Sequence, residues 1–355
     1  MPTVLWWGRF DADYARNRIL RQAFGELGWE VLDFRPHLSA LGDVEALLRR
    51  LPRPDLVWVP CFRQRDLAAA RRWSRRQGLP MVADPLISAY DKQVEERAKY
   101  PSGSRAARRL LAWEARRLAA ADLVIADTAA HADYFHDRLG ISAARLHVIP
   151  VGAEEALFRP CPEVVQNPAG VLRVLFYGSY VPLQGPRVIV AAARSLRAEP
   201  IAFDMIGNGL LRAECERLAR GLDNIRFTDW IPYAELPQRI CAADVVLGIF
   251  GTTPKAGRVI PNKVYQALAC GRTVVSRTAP VYPDALLASK AGILWVPPGD
   301  PDALAARLRD LAHKREGLPA HHQQARARYR AHFSQARVLA ALSAALDKLF
   351  ERAAR

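Results

Sequence analysis

GIFGTTPKAGRVIPNKVYQALACGRTVVS, residues 248–276, reads as the end of one strand, a polar loop, a helix and the start of a second strand. The apolar run VVLGIF (245–250), closed by Gly251, suits a parallel strand buried on both faces. Lys255, Arg258 and Lys263 follow, with Pro261 and Asn262 where a helix begins. KVYQALAC is the helix, Gly271 stops it, and TVVS opens the next strand. A strand end feeding a polar loop and a helix N-terminus is where open α/β sheets hold anions, because unpaired N–H groups face the ligand. An ordinary crossover with a solvated basic loop has the same pattern, so both readings stay open here.

Outward from this stretch the same rhythm recurs in both directions. In the first half TVLWW (3–7), WEVLDF (29–34), PDLVWVP (54–60), LPMVAD (79–84), DLVIAD (122–127) and LHVIP (146–150) are strands, with amphipathic helical segments between them. In the second half VLRVLFYG (171–178), PIAFDMIG (200–207), NIRFTDW (224–230) and GILWVP (292–297) join the opening stretch as strands. Alternation of this kind predicts parallel sheets with right-handed crossovers. Residues 156–170, with three prolines and no period, read as a linker. The expected fold class is α/β, with two Rossmann-like doubly wound domains facing a central cleft. Their bounds are 1–155 and 171–331, and a terminal helix over 332–355 crosses back toward the first domain. Asp300 is the expected N-cap of the helix that follows it.

The chain has 355 residues, enough for two cores, with half its residues hydrophobic and a quarter charged. No apolar run is long enough to span a bilayer, and the N-terminus meets an acid too early for a signal peptide. Five scattered cysteines lack metal-ligand spacing, which predicts free buried thiols, no metal site and a reducing, cytoplasmic setting. The net charge of +15 favours an acidic partner: a phosphorylated substrate, an anionic membrane face or nucleic acid. Only seven of the 51 cationic residues are lysine, so arginine count alone is weak support for any of them. Nucleic acid is set aside, since the basic segments lack interleaved aromatics and a known module.

Four loops after strand ends carry glycine or charge. They follow Gly8, lie between Gly178 and Gly185, surround Gly207, and occupy 251–262. Each alone is explained by a tight turn. GNG at 207–209 lacks the third glycine of a dinucleotide fingerprint, and no acid follows at ribose distance, which excludes a dehydrogenase reading.

Taken together, VLFYGSYVPLQG, FDMIGNGLLRAECERLA, NIRFTDWIPYAELPQRICAADVVLGIF, NKVYQALACGRTVVS and AGILWVPPGDPDALAARLRDL resemble, in order and spacing, the donor domain of GT-B glycosyltransferases of family 4. HVIPVGAEEALFRP resembles that family's interdomain link, and the first half resembles it more loosely. The resemblance implies a retaining transferase. It would use a nucleoside-diphosphate sugar as donor and a hydroxyl acceptor, lipid-linked or part of a surface glycan, with no cofactor and no metal.

The resemblance also assigns residues. The family's two glutamates, separated by seven residues, fall here at Arg258 and Gln266. Its basic pair in the first donor loop falls at Ser179 and Gln184, and its first-domain histidine falls near Asp84. Gln266 retains hydrogen-bonding capacity for a ribose, whereas Arg258 cannot imitate a carboxylate. The expectation is that Arg258 and Lys263 hold the donor diphosphate in place of the missing cations. Asp84 is expected at the sugar or acceptor hydroxyl, or as the cap of the turn before Pro85. Trp230, Ile231 and Pro232 are expected at the base, with core packing of Trp230 as the alternative. Gly8, Gly178, Ser179, Gln184, Gly207, Lys255, Asn262 and Gln266 complete the expected donor set. The Arg-rich helix at 104–121 either lies on an anionic membrane or is an ordinary layer helix. A nucleotide-sugar epimerase and a non-catalytic GT-B subunit are the alternative functions.

Overall fold

The computed structural model describes residues 1–161 and 170–353, so most of the expected linker, residues 162–169, lies outside the described residues. The chain divides into two units: Met1–Gly152 together with the chain from Gln335 onward, and Ala153–Ser334.

In the first unit, β1 (Thr3–Trp7), β2 (Glu30–Phe34), β3 (Leu56–Val59), β4 (Met81–Ala83), β5 (Leu123–Ala126) and β6 (Leu146–Val148) form one parallel sheet, ordered β2-β1-β3-β4-β5-β6. Successive side chains of a strand face opposite ways, and the WW pair of β1 shows the consequence. Trp6 is in register with Trp58 of β3 and stacks on it at 5.6 Å, on the face covered by Phe24 and by Val338, Leu342 and Leu346 of the helix Gln335–Ala353. Trp7 faces the other layer, against Phe34 and Trp73.

In the second unit, β7 (Leu172–Tyr177), β8 (Ile201–Ile206), β9 (Ile225–Thr228), β10 (Val245–Leu247), β11 (Thr273–Arg277) and β12 (Ile293–Val296) form a second parallel sheet, ordered β12-β11-β10-β7-β8-β9. The Asp300 side chain accepts from the Ala303 amide at 2.8 Å and caps the helix Pro301–His313. In both sheets the chain moves outward one way from its first strand and then returns to the other side of it. The crevices therefore open at the C-terminal ends of β1 and β3, and of β7 and β10.

The expected free thiols need correction. Cys161 and Cys241 are bonded to each other, and Cys270 is close enough for all three sulfurs to lie within 4.8 Å. The partners are 80 positions apart, so sequence spacing carried no sign of the bond. Cysteine usage accordingly no longer argues for a reducing compartment. Cys61, Cys215 and Cys270 are free and buried.

Arg16 and Asp84 tie the ligand end of the first sheet together. Arg16, in the first turn of the helix Ala15–Glu26, donates through Nε and a terminal nitrogen to both Asp84 oxygens at 2.9 and 3.0 Å. Its other terminal nitrogen donates to the carbonyls of Ile149 and Pro150 at 3.0 and 3.3 Å. Both side chains are wholly buried. Burial pushes the Asp84 carboxyl up, and the guanidinium beside it pulls it part of the way back. Removing one partner strands a charge where water cannot reach it, so Arg16→Met should cost about 3–5 kcal/mol. Urea unfolding checks this, and a loss below about 1 kcal/mol would show that the pair does not hold the sheet end together.

Candidate functional site

The switch-point crevice of the second unit is closed by backbone meeting backbone. A Cβ on Gly207, after β8, would stand 2.2 Å from the Gly178 carbonyl oxygen, so only glycine lets the two loops touch. Gly178, after β7, has φ +142, and a Cβ there would stand 3.3 Å from Lys263 Nζ. The loop 178–185 also meets the loop after β10: the Gly251 amide donates to the Leu183 carbonyl, and the Phe250 amide to that of Gln184.

Lys263 projects into this junction from the first turn of the helix Asn262–Ala269. Its Nζ donates to Gln184 Oε1 at 2.6 Å and sits 3.8 Å from the Phe176 ring centroid. No carboxylate among the described residues lies within ion-pair distance of it. Burial alone drives the amine well below its usual value. The cation expected in the 178–185 loop is absent from that loop's own sequence, but Lys263 brings an amine to the same place from another element.

Gln266 is also buried, and both ends of its amide are engaged. Tyr177 Oη donates to Gln266 Oε1 at 2.9 Å, Gln266 Nε2 donates to Tyr233 Oη at 3.0 Å, and Tyr233 Oη donates to Glu154 at 2.8 Å. Tyr233 has one hydrogen and gives it to Glu154, so its oxygen needs a donor. An amide supplies that donor and a carboxylate does not. The chain of bonds therefore accounts for glutamine at this position. One amide hydrogen and one oxygen lone pair remain for a ligand.

The other expected residues take these places. Lys255 is buried in the short turn Pro254–Gly257, and Ala256 of that turn packs with Leu183 and Ile249 beside the 178–185 loop. Arg258 follows that turn and is partly buried, as is Asn262, while Ser179 is exposed. Trp230 is 58% exposed, which excludes core packing for it, and Ile231 and Pro232 lead from it to Tyr233. Gly8 and Asp84 belong to the first unit. Gly8 has φ +139, and a Cβ there would stand 3.1 Å from an Asp66 oxygen; Asp84 is taken by Arg16.

Sequence reasoning missed Tyr177, Tyr233 and Glu154, which orient Gln266. It also missed Arg277, a buried third cation at the end of β11 that donates to the Gly251 carbonyl at 2.6 Å. Tyr177 closes β7 at the switch point and Arg277 closes β11, the strand beyond β10; position at the C-terminal end of a strand was the available signal.

Two family models match the chain: "Glycosyl transferase 4-like domain" over residues 7–152 and "Glycosyl transferases group 1" over 172–314. The chain belongs to this family of glycosyltransferases. Among curated relatives, D-inositol 3-phosphate glycosyltransferase of Thermomonospora curvata is 28% identical over 57% of this chain and 52% of its own. The putative colanic acid biosynthesis glycosyl transferase WcaI of Escherichia coli is 32% identical over 43% of this chain and 37% of its own. The chain thus spans about half the length, or less, of the curated relatives it matches. Among solved structures, sucrose-phosphate synthase from Thermosynechococcus elongatus superposes with a TM-score of 0.73 at 19% identity, covering 99% of both chains. Anabaena HepE in complex with UDP gives 0.70 at 17% identity, covering 98% of this chain and 100% of its own. These neighbours share the GT-B fold with the chain.

A buried amine without a counter-charge links anion binding to protons. An anion favours the ammonium form, so binding raises the amine's pKa and takes up a proton wherever the free amine is neutral. Affinity should therefore fall as pH rises through that range. Without ligand the sign for folding is opposite. Between the lowered native pKa and the ordinary value the unfolded chain holds the proton, so stability rises with pH. Calorimetric titration with UDP in two buffers of different ionisation enthalpy should show net proton uptake, lost in Lys263→Met. Heats that do not depend on the buffer would contradict the assignment.

Proposed function

We propose that the chain transfers a sugar, with retention, from a nucleoside-diphosphate donor bound at the second unit's crevice to a hydroxyl acceptor. The observation that carries this reading is the Lys263 amine. It is buried at the C-terminal ends of β7 and β10, is faced by no carboxylate among the described residues, and lies against Gly178, whose lack of a side chain keeps the amine uncrowded. Lys263, with Arg258 on the adjoining loop, is assigned to the diphosphate. That group is the leaving group, and countering its growing charge lowers the barrier. The remaining hydrogen-bonding capacity of Gln266 is assigned to the ribose, and the exposed Trp230 with Ile231 and Pro232 to the base. Asp84 is held by Arg16 on both oxygens, so no protein carboxylate is assigned as base; the acceptor proton passes to a donor phosphate oxygen. The cations meet the diphosphate charge, and the reading includes no metal and no cofactor.

For the acceptor, the reading is a lipid-linked or surface glycan at the inner membrane face; the relative WcaI, named for colanic acid biosynthesis, supports the glycan part of it. A non-catalytic donor-binding subunit is the second reading, favoured by the neutral, doubly engaged Gln266 where the family carries a glutamate.

The test is a thermal-shift panel of nucleoside diphosphates, followed by turnover with the nucleotide sugar that stabilises most. Binding to the native state alone raises the melting temperature. Arg258→Ala should lower turnover about 10²–10³-fold. Near-normal turnover in that variant would remove Arg258 from the site, binding without transfer would favour the subunit reading, and conversion of donor without acceptor would indicate an epimerase.

A further inference from the structure

Among the described residues ten large apolar side chains are exposed, and five of them lie within eleven positions: Leu38, Leu41, Val44, Leu47 and Leu48. Leu38 precedes the short turn Ser39–Leu41, and the others lie in that turn and in the helix Gly42–Leu48, just after β2. Leu48 is 79% exposed and Leu38 59%. Scattered single leucines on a surface need no account, but a contiguous apolar face does. The helix buries Gly42, Asp43 and Ala46 against the protein and turns Val44, Leu47 and Leu48 outward.

The charges around this face are sorted by depth. Its two acids are drawn inward: Asp43 is buried under Arg72 and Arg76, and Glu45 lies mostly buried beneath His37 and Arg49. The cations stand outward, with Arg72, Arg76 and Arg49 each about half exposed, and Arg50 and Arg53 exposed beyond them. Exposed apolar side chains with more cations than acids on the same and neighbouring segments complement an anionic bilayer, where apolar side chains enter the acyl boundary and arginines meet lipid phosphates.

The Arg-rich helix Arg105–Leu118 does not offer such a face. Leu118 is buried, and Leu110 and Leu111 pack on core clusters of the same unit.

The geometry points to residues 38–48 as a membrane-docking surface for an anionic lipid bilayer. Its position serves the reaction proposed above, on which the acceptor part of this inference rests. Ser39 and Ala40 of the same turn line a cavity of about 660 Å³, together with Arg63, Lys92, Trp113 and Arg117. Arg117 faces no carboxylate among the described residues, and burial with the like charges of Arg72 and Arg116 pushes its pKa down. An acceptor anchored in the bilayer would thus present a phosphate-bearing headgroup to a cationic cavity beside the docked face.

The experiment is flotation of the full chain with vesicles of phosphatidylcholine alone or of phosphatidylcholine mixed with phosphatidylglycerol, whose negative surface potential attracts cations. The wild type should float with the anionic vesicles at least tenfold more than with the neutral ones. Val44→Glu/Leu48→Glu and Arg50→Glu/Arg53→Glu should each lose roughly tenfold or more of that binding. A wild type that stays unbound with both vesicles overturns the proposal, as do variants that float unchanged. Sedimentation of the same samples covers the remaining occupant: a concentration-dependent dimer that Val44→Glu/Leu48→Glu abolishes, without flotation, assigns the face to a second copy and overturns it too. Thermal shifts with the same panel of nucleoside diphosphates, measured in every variant, separate the two readings, since the proposed donor crevice lies in the other unit. A retained shift with no flotation sinks the docking surface alone, whereas flotation without any shift sinks the transferase reading alone.

Discussion

A lysine amine held out of water, with no acid among the described residues to meet it, is the constraint on which the second unit's crevice depends. Lys263 reaches the turn after β7 from a helix that follows β10, so it spans the point where the strand order reverses. Its neighbours are a ring face, a neutral amide oxygen and a glycine, none of which offsets a full charge. A site built this way is more stable with an anion than without one. The close approach of Gly178 and Gly207 and the contact between the 178–185 and 248–257 loops keep the amine there.

Much of this was legible in the sequence, for reasons that can be named. Both sheets were readable because strands buried on two faces are continuous apolar runs and the helices between them keep their period. The terminal helix Gln335–Ala353 was legible as a helix from the same periodicity. The loop cations were legible as a group, but their directions were not. Lys263 points into the crevice, and Arg258 lies on the adjoining loop, a difference set by tertiary packing rather than by spacing. The Cys161–Cys241 bond was hidden for a similar reason, since it joins elements brought together only by the folded second unit. The bonds that fix Gln266 run through Tyr177, Tyr233 and Glu154, from three separate segments. Periodicity reports which residues are buried; it does not report which buried hydroxyl meets which amide.

The departures from the family pattern form a consistent set. Gln266 stands where the resemblance expects a glutamate and meets a tyrosine oxygen that requires a donor. The 178–185 loop carries no cation of its own; Lys263 reaches it from the helix after β10, and Arg277 holds the Gly251 carbonyl from the end of β11. In the first unit the carboxylate nearest the family's histidine position is bound on both oxygens by Arg16. The crevice at the switch point keeps its place in the sheet with a different set of charges around it, which is how one fold carries varied chemistry.

The central claim is that the Lys263 amine is the counter-charge for a donor phosphate. A crystal structure with UDP bound tests it most directly. A phosphate oxygen is expected within hydrogen-bond distance of Lys263 Nζ, about 2.7–3.2 Å, in the turn beside Gly178. UDP bound with its phosphates away from Lys263, and the amine still on Gln184 alone, would contradict it.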